Sequence, residues 1–118
     1  MKIGCLIFSD NIKYDKLHHC AVKSFCKFHK DVLVFSIQKP SDVIPAFLNK
    51  QKGTPAGIRK FLIADFLFNE YKLNKIIILG ADTITCDRLD EFINDNENDI
   101  LTSLDYPYQL ITANRTIL

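Results

Sequence analysis

Apolar residues in this chain come in short unbroken runs, separated by polar clusters rich in turn-forming residues. The clearest run is Ile76-Ile77-Ile78-Leu79. Its three β-branched residues favour a strand. Continuous apolarity without alternation predicts burial on both faces, as in a parallel sheet covered by helices. The run stops at Gly80-Ala81-Asp82, where glycine permits a sharp turn. Ile3 to Phe8 predicts a first buried strand, closed by the turn formers Ser9-Asp10-Asn11. Asp31 to Ile37 predicts a second, and Ile100 to Leu104 a fourth that ends in Asp105-Tyr106-Pro107-Tyr108. The Ile76 strand is expected to be central.

Helical spacing fills the intervals. Between Tyr14 and Lys30, Leu17, Ala21, Phe25 and Phe28 recur on one face, with Cys20 and Val22 alongside. Lys16, Lys23, Lys27 and Lys30 mark the wet face, and His18, His19 and His29 read as surface or helix-end residues. Strand, helix, strand makes a βαβ unit, with parallel pairing and a right-handed crossover expected. Gln38 to Gly53 reads as a loop with one helical turn at Ala46 to Lys50. Thr54-Pro55 is a strong helix start. The helix it opens is expected to reach Lys72, with Ile58, Phe61, Leu62, Phe66 and Leu67 facing the core. A short link to the Ile76 strand makes that helix antiparallel to the strand, which brings Arg59 towards Asp82. Asp87 is the expected N-cap of a last short helix, with Asp90 and Glu91 in its first turn. Asn94 to Asp99 reads as a polar loop.

Composition narrows the function classes. At 118 residues the chain makes one domain, 1–118, short for an α/β enzyme. A formal net charge of +1 gives no basic field for nucleic acid. No apolar stretch is long enough for a transmembrane segment or shaped as a signal peptide. Cys5, Cys20, Cys26 and Cys86 form no CxxC pair and read as small buried hydrophobes in a reducing, cytoplasmic setting. The spacing of Cys20 and Cys26 with His18 and His19 matches no common zinc pattern.

Candidate chemistry gathers where the strands end. In open α/β sheets ligands bind beyond the carboxyl ends of the strands. Asp82 stands at such an end, and a carboxylate there suits Mg²⁺ or Mn²⁺ sharing its shell with substrate phosphates. Asp82 reads equally well as a turn residue whose side chain bonds nearby backbone N–H groups. Arg59 reads either as a planar fork for phosphate or as a solvent-facing cation.

Together these pieces resemble the nucleotide-sugar half of GT-A glycosyltransferases, closest to the family 8-like group. The resemblance rests on Ile77-Ile78-Leu79-Gly80-Ala81-Asp82-Thr83-Ile84, which is similar to that family's strand and D-x-D motif. It rests also on the acidic helix Leu89-Asp90-Glu91-Phe92, on Arg59 in the preceding helix, and on Phe8-Ser9-Asp10-Asn11 after the first strand. It covers nearly the whole chain. It implies a Rossmann-like sheet that binds a nucleoside diphosphate sugar, and transfer of a sugar, of hexosyltransferase type, to an acceptor hydroxyl. The resemblance assigns Phe8, Ser9, Asp10, Asn11, Arg59, Gly80, Ala81 and Asp82 to the donor site, with Asp82 holding Mn²⁺ or Mg²⁺. Two departures stand out. Gly80 occupies the place of the motif's first acid, for which Asp10 or Asp105 can compensate. The chain is also much shorter than such domains, so the expectation is a donor-binding half cut short at its C-terminus. The alternative is a non-catalytic nucleotide-binding or assembly module that keeps the half-fold.

Overall fold

The computed structural model describes residues 1–38 and 56–100. The expected loop beyond Gln38, the Thr54-Pro55 helix start, the stretch from Leu101 to Leu104 and Asp105 lie outside the described residues. The elements are β1 (Ile3–Phe8), a 3₁₀ turn (Ile12–Tyr14), α1 (Asp15–Phe28), β2 (Leu33–Ile37), α2 (Ala56–Glu70), β3 (Lys75–Gly80) and α3 (Asp90–Ile93). Both strand pairs are parallel, in the order β2-β1-β3. This is an α/β fold with a parallel sheet and helices on both faces. No helix among the described residues is long and apolar enough to cross a membrane.

Alternation along β1 sorts the core into two layers. Ile3, Cys5 and Ile7 pack on one face with Ala21 and Phe25 of α1, Val32 and Ile93. Leu6 and Phe8 pack on the other with Ile63, Ala64 and Leu67 of α2. The sheet neighbours follow the same parity. Val34, Ile77 and Leu79 join the α1 layer, and Phe35, Ile76 and Ile78 join the α2 layer. A strand between two helical layers needs apolar side chains at every position, and all six residues of β1 are buried.

Several expectations are corrected. Among the described residues the central strand is β1, not the Ile76 strand: β3 has one neighbour there, and its apolar residues are only half-buried. An apolar run signals coverage of both faces, not rank in the strand order. The second strand starts at Leu33 and not at Asp31. The buried stripe of α1 is His18, Ala21, Phe25 and the helix-end His29, so Leu17 faces outward and His18 takes the place expected for it. His18 is therefore a core residue, not a surface one, while His29 stands at the helix end as expected and is buried there. On α2, Ile63, Ala64 and Leu67 are buried, Leu62 and Phe66 partly so, and Ile58 and Phe61 are exposed. Apolar residues surround that helix, so spacing alone does not choose its inner face. Of the cysteines only Cys5 is buried; Cys26 is half-buried, and Cys20 and Cys86 are exposed. Burial, with Cys26 nearby, pushes the Cys5 thiol up to about 12, which keeps it protonated and inert. Ile100 belongs to no strand.

Backbone caps fix how α2 hands over to β3. The N–H of Leu73 donates to the carbonyl of Phe68 at 2.9 Å, and that of Lys72 to Asn69 at 3.3 Å. This is a Schellman end, with Lys72 in the left-handed region at φ 52°. Leu73 then turns inward, and Asn74 zips onto the start of β1: its N–H donates to the Lys2 carbonyl, and its Oδ1 accepts from the Lys2 N–H, each at 2.7 Å. The short link makes α2 antiparallel to β3, as expected.

After β3 the chain returns across the α1 layer without regular secondary structure. The N–H of Thr85 donates to Ser24 Oγ at 3.0 Å. Arg88 reaches the Phe28 carbonyl at 2.8 Å and both carboxylate oxygens of Asp31. The Arg88 guanidinium holds the Asp31 carboxyl below the usual carboxylate range. Helix α3 is a single turn. Its N-cap is Leu89, without a side-chain bond, so the expected cap by Asp87 is not formed. Asp87 instead accepts the N–H of Arg88 at 2.8 Å. Asp90 and Glu91 do lie in the first turn. At the other end, the Lys75 ammonium meets the carbonyls of Phe92, Ile93 and Asp95, a cation at a helix C-terminus where the dipole favours it.

Gly4 permits the close approach of β1 to its α2-side cover. A Cβ there would lie 2.7 Å from Leu73 Cδ1 and 2.9 Å from Phe35 Cε2. Gly4→Ala should therefore overpack the site and cost about 1–2 kcal/mol in urea denaturation. Unchanged stability would show that this approach has slack.

Candidate functional site

The carboxyl ends of β1 and β3 lie side by side, with Phe8 paired to Gly80. The loop Ser9-Asp10-Asn11 and the turn Ala81-Asp82 thus emerge together. The strand order reverses at β1: the chain reaches β2 through α1 on one face, then crosses to β3 through α2 on the other. The rim above such a reversal is where open α/β sheets bind ligands.

Each predicted residue at this rim has a definite setting. Phe8 is buried, and its ring lies under the Arg59 guanidinium at 5.8 Å. Arg59 Nη1 donates to Asp10 Oδ2 at 3.2 Å, with the arginine side chain only 18% exposed. Arg59 is therefore not solvent-facing, but its carboxylate partner is Asp10 and not Asp82. Arg59 Nε is buried without a hydrogen-bond partner among the described residues. Asn11 caps the 3₁₀ turn, its Oδ1 accepting the Lys13 N–H at 3.0 Å. Ser9 is buried; its N–H donates to the Ile37 carbonyl at 3.1 Å, tying the end of β1 to β2. Ala81 is buried, while Asp82 is exposed.

The turn after β3 is braced by Thr83, not by Asp82. The N–H of Thr83 donates to the Gly80 carbonyl at 3.2 Å, and Thr83 Oγ1 donates to the same oxygen at 2.7 Å. The threonine holds the turn. The Asp82 carboxylate takes no hydrogen bond or ion pair from the described residues. Instead it folds back over the strand end, so that a Cβ on Gly80 would lie 2.9 Å from Asp82 Oδ1. Glycine at position 80 leaves the space that this oxygen uses.

The sequence reading missed a polar chain beside this rim. His18, from the first turn of α1, has Nδ1 2.8 Å from Ser9 Oγ and Nε2 2.8 Å from Ser36 Oγ. Burial holds its imidazole below the ordinary value, against the opposing pull of Asp15. A signal existed: the spacing 18, 21, 25, 29 is a helical stripe, and it places His18 with Ala21 and Phe25. His29 is a second internal tie. Its ring stacks on Phe25 at 4.3 Å, and Nε2 accepts the Leu89 N–H at 2.8 Å.

As to metals, no group of three or more His, Cys, Asp or Glu among the described residues is placed to share an ion. Asp82 and Asp10 do not form a pair of free carboxylates, because Asp10 is held by Arg59. Asp105, the other candidate to stand in for the missing acid, lies outside the described residues.

No family model matches this chain, and no match to it is found among curated proteins or solved structures.

If Thr83 rather than Asp82 braces the turn, Thr83→Val should cost about 1 kcal/mol in thermal or urea unfolding. A Thr83→Val protein as stable as the parent would return the brace to another group.

Proposed function

We propose that this chain is the donor-binding half of a glycosyltransferase of GT-A type, which takes a nucleoside diphosphate sugar at the β1–β3 rim. One observation carries the proposal. Asp82 is an exposed carboxylate, unpaired among the described residues, that leans over Gly80 at a strand end beside the β1 loop.

One carboxylate suffices for Mg²⁺ or Mn²⁺ when a diphosphate and waters complete the shell, so Asp82 fits such an ion without a dedicated protein cage. When bound, the ion acts as a Lewis acid that neutralises charge on the departing diphosphate. Asp82 would hold it. Arg59 keeps a fixed guanidinium near the rim, supported by Phe8 below and Asp10 beside it. A diphosphate would compete with Asp10 for that fork of donors. The Ser9–Asn11 loop would border the nucleoside, with Asn11 already spent on capping. The acceptor hydroxyl and the transfer step lie beyond what these residues supply.

A second reading is a nucleotide-binding or assembly module without catalysis. The absence of an acid at Gly80 and the engagement of Asp10 by Arg59 favour it, since Asp82 is then the one free acid at the rim among the described residues. Nucleotide binding is common to the first reading and to a nucleotide-binding module but is not required of an assembly module, and only the first reading predicts sugar transfer or donor hydrolysis.

Asp82→Asn keeps the size of the side chain and removes its charge. It should leave the melting temperature nearly unchanged, and weaken Mn²⁺-dependent UDP or GDP binding at least about tenfold, or about 1.4 kcal/mol, in isothermal titration. Parental binding by the variant would end the metal role of Asp82. A folded parent that binds neither nucleotide at millimolar concentration would sink the donor-site reading.

A further inference from the structure

The Ser9–His18–Ser36 chain joins two strand ends that nothing else polar joins side chain to side chain among the described residues. Ser9 follows β1 directly, and Ser36 is the next-to-last residue of β2, paired in register with Ile7. His18 fills the gap between them, with 2.8 Å contacts on both ring nitrogens, and is itself buried. A neutral imidazole has one donor and one acceptor nitrogen. It therefore satisfies the chain in one direction: one serine gives its proton to the ring, and the other receives the ring's proton. The tautomer that meets the requirement of the buried serine carries its proton on Nε2: Ser9 Oγ donates to Nδ1, and Nε2 donates to the exposed Ser36 Oγ.

An imidazolium cannot do so. Both nitrogens then donate, and both hydroxyls must turn their protons elsewhere. Ser36 is exposed and can turn to water. Ser9 is buried, and its hydroxyl has no second side-chain or backbone partner among the described residues. Charging His18 therefore leaves a buried O–H unsatisfied, besides placing a charge in the core. Among the described residues, the titratable groups acting on the ring are Asp15 and His19, both from its own helix. From β1 and β2 the ring receives only the two serine hydroxyls. Asp15 favours the charged ring and His19 opposes it, but burial is the largest influence, and it favours the neutral form.

We infer that Ser9–His18–Ser36 is a proton-operated latch. With the imidazole neutral it holds the Ser9 side chain, beside the Ser9 N–H bond to Ile37 and the Asp10–Arg59 pair, and so fixes the Ser9–Asn11 loop at the rim; with the imidazole charged, the side-chain hold is lost and the loop shifts from that position. His18 is thus a positioning residue for the rim, acting through Ser9. The latch itself stands on the geometry of the chain, and its consequence for a nucleotide rests on the donor-site reading above. The sign follows from burial. The folded protein binds this proton less readily than the unfolded chain, so the latch contributes fully above the ordinary imidazole value of 6.5, and its contribution is lost as pH falls through the lower folded value.

The test is an NMR titration of the full chain from about pH 7.5 to pH 5, following the His18 ring and the backbone amides of Ser9, Asp10 and Asn11. The amides should move with the midpoint of His18 and not with that of His19. Ser36→Ala opens Nε2 to water, which should raise the His18 midpoint and carry the loop transition up with it. His18→Asn places an amide near the position of Nδ1 but does not titrate, so the loop should stay in place across the range. Loop amides that stay still while His18 titrates would overturn the latch. So would an unshifted loop transition in Ser36→Ala, which keeps the test decisive if His18→Asn fails to fold. Titration with Mg²⁺ and UDP at the two pH extremes separates the two proposals. The parent should lose at least about threefold more affinity on acidification than His18→Asn, a comparison that cancels the nucleotide's own protonation. A loop that tracks His18 in a protein that binds no UDP would keep the latch and remove the donor site. UDP binding with a loop indifferent to His18 would do the reverse.

Discussion

Every described layer of this protein leans on β1. It is paired on both edges, to β2 and β3, and covered on both faces, by α1 and α2. Its backbone groups are taken up by two parallel ladders, and its side chains alternate strictly between the two cores. Shifting β1 by one residue would exchange those cores, sending Cys5 and Ile7 towards α2 and Leu6 and Phe8 towards α1. Gly4 fits only where Leu73 and Phe35 close over it, which ties the register to the α2 side. The rim inherits its geometry from this pairing, because Phe8 and Gly80 end their strands together.

The two ends of the sheet are held by different chemistry. At the amino ends, Asn74 zips onto Lys2, Lys75 meets the carbonyls at the end of α3, and Arg88 and His29 fasten the returning chain to the end of α1. These bonds mostly join backbone groups to side chains, which fixes a loop in place. At the carboxyl ends, some polar groups are left unsatisfied among the described residues. Asp82 is unpaired among the described residues, Arg59 Nε lacks a partner there, and His18 sits in a chain that holds only while neutral. Unspent polar capacity gathered at one rim is what a binding surface requires, and the fastened end is what lets the rim keep its shape.

Burial and pairing also changed what individual residues are for. Asp82 and Thr83 share the turn after β3, and the Gly80 carbonyl needs a donor, which the threonine hydroxyl supplies and a carboxylate cannot. That leaves the carboxylate without a local task. Arg59 stands where a helix antiparallel to β3 must put it, near the strand ends, but the acid it pairs with there is Asp10. The loop and the helix are thereby joined across the α2 side of the rim.

The sequence by itself determined the strand–helix alternation, the parallel α/β class, the antiparallel run of α2 against β3 and the cluster of polar residues at the strand ends. These follow from short-range causes: β-branched runs, helical spacing, turn formers and the length of a link. Tertiary structure decided the rest. Apolar runs in β1 and β3 look alike, and only the pairing of strands made β1 central and left β3 with one neighbour among the described residues. On α2 apolar residues face all ways, so the sheet chose Ile63 and Ala64 over Ile58 and Phe61. His18 looks like a surface histidine beside His19 until two serines, 9 and 18 positions away, close on its ring. Contacts of that separation are set by how layers stack, and no local pattern in the chain encodes them.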